Sequence, residues 1–115
     1  MEKRGSQRRH LLLYLKVFDR NSGKLLGVVA DISLEGVLIL SETPIGLNQT
    51  FDLEIDPGES LQPRGKANPG FTARSLWAEK DANPKYTITG FKFIAPDPVF
   101  LDAVRKLIET LGFMR

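Results

Sequence analysis

The chain contains no cysteine, which excludes disulfide scaffolds, thiolate nucleophiles and cysteine-ligated metals. It has one histidine, His10, no Gly-rich phosphate loop ahead of a helix, and no run of residues with metal-ligand spacing. Long hydrophobic runs are also missing. The longest uninterrupted one, Leu11 to Leu15, falls far short of the ~20 residues that a spanning helix needs. No apolar segment follows the basic start as a signal peptide would require. The excess of positive charge is small, 16 Lys and Arg against 14 Asp and Glu, too little by itself to argue for a nucleic-acid partner. The expectation is a soluble, cytoplasmic protein that is not an enzyme and carries neither metal nor cofactor.

What is present fits one domain. A chain of 115 residues, 42% hydrophobic and 26% charged, can bury a core and has the composition of an ordered globular protein. The distribution of charge says more than its sum. Lys3, Arg4, Arg8 and Arg9 stand against Glu2 at the start, whereas Asp52, Glu54, Asp56 and Glu59 cluster later. A basic arm on a neutral body suits a small anionic ligand better than a long polyanion, which would want a continuous basic stripe.

Periodicity divides the chain into a flexible basic arm (1–10), a β-barrel (11–95) and a helix (97–112). Leu11 to Phe18 is apolar on both faces, as in a strand covered on both sides. Leu12, Tyr14 and Phe18 on its outer face would suit a homodimer contact. Asp19 to Lys24 is a hairpin turn by composition, and Leu25 to Asp31 runs back, with Gly27 marking a bulge or a tight barrel corner. Gly36 to Ser41 is a third strand. Thr50 to Asp56 alternates strictly, Phe51, Leu53 and Ile55 inward and Asp52, Glu54 and Asp56 outward as a solvated ladder or an acidic docking patch. Pro57 to Pro69 reads as a long loop, and Phe71 to Ala78 and Tyr86 to Ile94 as strands around a turn at Asp81 to Pro84. Asp97 caps a helix that starts at Pro98, bears an apolar stripe on Phe100, Val104, Leu107, Ile108 and Leu111, and stops at Gly112. The fold class is mostly β: a six-stranded antiparallel barrel with one C-terminal helix.

The stretch with chemistry in it is Asp31-Ile32-Ser33-Leu34-Glu35-Gly36. Asp and Ser can fold their side-chain oxygens onto nearby backbone N–H groups. Gly36 marks a place where φ is positive or where something approaches the backbone closely. Upstream, Arg4 and Arg8 put two guanidinium groups on the arm, so a fixed polar lip would face a movable pair of cations. As a turn alone, Asp31, Ser33 and Gly36 would satisfy their own backbone and do no more, and Arg4 and Arg8 would be solvated tail charges.

Arg-x-x-x-Arg followed by Asp-x-Ser-x-x-Gly at this separation resembles the PilZ domain, a small bacterial split β-barrel that binds the second messenger cyclic di-GMP. Arg4 and Arg8 match the first motif, and Asp31, Ser33 and Gly36 the second. Thr89-Gly90-Phe91-Lys92-Phe93 before the helix resembles the family's last strand. The resemblance implies a cyclic di-GMP receptor whose arm orders on binding and alters contacts with a protein partner. Arg4 and Arg8 would take guanine edges and phosphates, since a guanidinium fork meets guanine O6 and N7 bidentately. Arg9 would stack on a base or add charge, Asp31 would accept from the guanine N–H edge, Ser33 would donate or accept, and Gly36 would leave room for the base. Trp77 is a packing residue of the barrel or its rim, within reach of a base. Arg74 is an outward strand residue or a third cation, and His10 a surface residue beside the arginines. Two alternatives stand beside this reading: a PilZ-like interaction module that works without nucleotide, and a small barrel that binds nucleic acid generally.

Overall fold

The computed structural model describes residues 15–58 and 67–111. The basic arm with Arg4, Arg8, Arg9 and His10, the expected strand start at Leu11 to Tyr14, part of the Pro57 to Pro69 loop, and Gly112 lie outside the described residues. Six strands and one helix follow in order: β1 Lys16–Asp19, β2 Leu25–Ile32, β3 Gly36–Ser41, β4 Thr50–Asp56, β5 Gly70–Lys80, β6 Thr87–Phe93 and α1 Pro98–Leu111. The strands form a closed antiparallel barrel in the order β1-β2-β3-β6-β5-β4, sealed where β1 pairs with β4. Closure gives each of the six strands a neighbour on both sides, which removes the free edge strand through which open sheets associate.

Alternation produces the core. Leu15, Val17, Val29, Ile39, Leu53 and Ile55 point inward and are fully buried. β4 behaves as its sequence reads: Leu53 and Ile55 are buried, Asp52 is exposed, and Glu54 and Asp56 are half-buried. Its outward carboxylates are occupied locally. Thr72 Oγ1 donates to Asp52 Oδ1 at 2.9 Å, Asn68 Nδ2 donates to Glu54 Oε2 at 3.0 Å, and the Gly58 N–H donates to Asp56 Oδ1 at 3.0 Å. The β1–β2 hairpin closes over Asp19, whose carboxylate accepts from the Asn21 N–H at 2.8 Å, and Gly23 takes φ +75°. Gly27 sits at a tight corner beside a register shift. A Cβ there would run into the Leu40 carbonyl and the Ile39 side chain, so only glycine fits.

α1 begins where the sequence places it. Asp97 Oδ1 accepts from the Phe100 N–H at 2.8 Å, which satisfies one of the donors that a helix start leaves open. The apolar stripe delivers Phe100, Val104 and Leu107 to the barrel core. Phe100 stacks on Phe71 with ring centroids 4.8 Å apart and meets Phe93 edge-on at 5.0 Å, and Phe71 and Phe93 are themselves edge-to-face at 5.3 Å. This three-ring cluster holds the helix to the sheet. Phe100→Ala is therefore expected to cost roughly 3–5 kcal/mol of stability, measured by chemical denaturation. A loss below about 1 kcal/mol would mean that the cluster does not hold the helix.

Candidate functional site

Strict alternation would bury both Asp31 and Trp77, because Val29 and Ser75, two residues before each, are fully inward. Neither is buried. The β2–β3 register shifts between Val29 and Asp31, so Ala30 is an extra residue, Ile32 takes the inward position at 1% exposure, and Asp31 turns out and is half-buried. The β5–β6 register shifts between Ser75 and Trp77, so Leu76 is the extra residue and both Leu76 and Trp77 face outward. A β-bulge re-aims every side chain beyond it. Two bulges thus bring an acid and an indole onto one outer surface.

The turn after β2 is self-supporting. Asp31 Oδ1 accepts from the Ile32 N–H at 2.9 Å, Ser33 Oγ accepts from the Glu35 N–H at 3.2 Å, and the Ser33 N–H donates to the Gly36 carbonyl at 2.9 Å. The Phe93 N–H donates to the Glu35 carbonyl at 3.0 Å and ties the turn to the end of β6. Of the two reasons for Gly36, the second holds. Its φ is not positive; instead a Cβ would collide with the Phe91 carbonyl on β6, so glycine lets β3 and β6 close beside the turn.

Trp77 has a matching glycine. The indole lies against Gly90, where any Cβ would overlap its ring atoms, yet Trp77 stays 42% exposed. Between the turn and the indole runs an open groove of about 690 Å3, lined by Asp31, Ser33, Glu35, Gly36, Leu38, Leu76, Trp77, Gly90 and Lys92 among others. The structure therefore gathers Asp31, Ser33, Gly36 and Trp77 into one site. Arg74 faces outward on β5 beside it and does not line it. Leu76 and Lys92 are groove residues that sequence reasoning passed over. The alternation of Phe91 and Phe93 already pointed Lys92 outward; nothing local in the sequence announced the Leu76 bulge. Among the described residues no group of acidic or histidine side chains could hold a metal, and no described helix is long and apolar enough to cross a membrane.

The Val29 N–H donates to the Leu15 carbonyl at 2.9 Å, which carries the β1–β2 pairing back to the first described residue.

A closed six-stranded barrel with a C-terminal helix, carrying an Asp-x-Ser-x-x-Gly turn beside a surface groove, is the architecture of a PilZ domain. The family model of the PilZ domain matches residues 2–110, and the chain belongs to that family. Two solved structures share the fold. One is the PilZ domain of YcgR from Escherichia coli, determined with c-di-GMP, at a TM-score of 0.65 and 19% identity over 86% of this chain and 81% of that one. The other is the inhibitor of motility MotI/DgrA of Bacillus subtilis, at a TM-score of 0.65 and 12% identity over 87% of this chain and 48% of that one. No curated protein matches the chain.

Gly90→Ala should displace the indole. The expected result is a red-shifted emission of Trp77, the chain's one tryptophan, together with a loss of about 1–3 kcal/mol of stability. Steady-state fluorescence and denaturant melts check it, and an unchanged spectrum would place the ring elsewhere.

Proposed function

We propose that the domain is a cyclic di-GMP receptor whose basic N-terminal arm closes over the groove beside the Asp31–Gly36 turn. The observation that carries this reading is the pair of bulges that turns Asp31 and Trp77 onto one open groove beside the Asp31–Gly36 turn. Family membership and the likeness to a PilZ domain solved with c-di-GMP support the choice of ligand.

Arg4 and Arg8 take guanine edges and phosphates, and Arg9 stacks on a base or adds charge. Asp31 accepts from a guanine N–H, Ser33 hydrogen-bonds at the turn, and Gly36 keeps the turn close to β6. Trp77 presents one exposed aromatic face to a base. Each bidentate Arg–guanine contact contributes roughly 1–3 kcal/mol, and two of them with neutralised phosphates reach the −8 kcal/mol or so of micromolar binding. Ordering the arm costs ~1–2 kcal/mol per residue, which is why closure follows ligand and changes the surface offered to a protein partner. The exposed Leu34, Leu76 and Trp77 around the groove favour a second reading, an interaction module that works without nucleotide.

Titration with cyclic di-GMP, with GMP and single-stranded DNA as controls, separates these readings. Micromolar binding of the cyclic form with quenching of Trp77 is expected. Arg8→Ala should weaken it about 5- to 150-fold, the equivalent of 1–3 kcal/mol, and saturating ligand should protect the arm from proteolysis. No heat on mixing, or an Arg8→Ala variant that binds like wild type, rejects the receptor reading.

A further inference from the structure

Two cations on the outer surface face each other without a counter-ion among the described residues. Lys92 on β6 stands directly opposite Arg74 on β5 and directly opposite Gly36 on β3. The three form one row across the sheet, Gly36–Lys92–Arg74, in which both cations are exposed. Partners opposite one another in an antiparallel pair share a face, with Cβ atoms about 4.5–5.5 Å apart, and like charges in that position destabilise the sheet. Among the described residues neither Lys92 nor Arg74 lies within ion-pair distance of a carboxylate. Glu35, one residue before Gly36, shares the groove with Lys92 without pairing to it, and Asp52, diagonal to Arg74 on β4, accepts from Thr72. The next row along the strands is Leu38–Gly90–Trp77. An exposed aromatic face therefore lies one row, or about 7 Å, from an uncompensated pair of cations.

We propose that Arg74 and Lys92 form a phosphate subsite at the Trp77 side of the groove, so that a nucleotide whose base lies on the indole has its phosphate over this pair. The subsite deepens the receptor reading given above and rests on it for the identity of the nucleotide. It holds the phosphate beside the Gly36 end of the turn, from the paired strands β5 and β6 rather than from the arm. The cost of two like charges in register is relieved when the anion arrives. This accounts for their persistence next to Gly36, at the one place on β6 where an outward cation lines the groove.

The test uses Lys92→Gln, Arg74→Gln and the double variant of the full chain. Affinity for cyclic di-GMP is read by calorimetry across a salt series, and melting temperature without nucleotide is read in chloride and in inorganic phosphate at equal ionic strength. Each single variant should bind about fivefold or more weakly, with the slope of log affinity against log salt reduced by about one. Their melting temperatures in chloride should be equal to or above wild type, because a like-charge pair has been removed. Phosphate should raise the wild-type melting temperature and leave the double variant unmoved. Unchanged affinity and slope in both single variants overturn the subsite while leaving the receptor reading intact. Weaker binding accompanied by a lower melting temperature in chloride also overturns it, since the pair would then be structural. If wild type binds no cyclic di-GMP the receptor reading fails, and the phosphate melts still decide: a shift in wild type absent from the double variant upholds an anion site, and equal behaviour removes it.

Discussion

Parity governs this structure. A strand has two faces, and once Val29 and Ser75 are committed to the barrel interior, every later residue on β2 and β5 is assigned a side until something breaks the count. Ala30 and Leu76 break it. An ionised Asp31 inside a closed barrel would lose its hydration with no cation among the core residues to replace it. An indole the size of Trp77 would overfill an interior already packed by Phe71, Phe91 and Phe93. The bulges thus serve the core as much as the surface, and the groove is the outer expression of the same constraint.

Each bulge is held in place by backbone bonding from outside its own strand. On the β2 side the Ser33–Gly36 turn closes on itself and is pinned to β6 through the Glu35 carbonyl. On the β5 side Ser75, the residue before the shift, is clamped by the connection between β3 and β4. Its hydroxyl donates to the Gly46 carbonyl at 2.7 Å, its carbonyl accepts from the Asn48 N–H at 2.7 Å, and its N–H donates to the Gln49 carbonyl at 2.9 Å. Asn48 reaches this clamp in the left-handed region at φ 59°, which asparagine tolerates better than most residues. A buried serine with its hydrogen bonds met fixes where the strand kinks, and the kink fixes where Trp77 points.

The walls of the groove belong to the barrel itself. The lip and the indole sit on strands of one closed sheet, Gly36 lets β6 come close and Gly90 makes room for the indole, and the polar groups of the lip already line the groove. A groove preformed in this way can be filled without reorganising its own walls.

Much of the architecture was legible from local patterns. The period-two alternation of Thr50–Asp56, the turn chemistry of Asp19–Lys24, the Gly36–Ser41 strand and the Asp97-Pro98 helix start each depend on near neighbours in the chain, and near neighbours suffice to determine them. The candidate turn was legible for the same reason, since Asp31 and Ser33 bond to backbone within their own hairpin. The bulges were not, because a register shift is a property of two strands that meet only after folding. The same holds for the cradle of Trp77 on Gly90, the meeting of Lys92 with Arg74, and the choice of close approach over positive φ at Gly36: each depends on a partner distant in sequence. Sequence alone therefore determined which segments are strands and which turn carries the polar groups; tertiary structure decided which side those groups face, because sidedness is set by pairing.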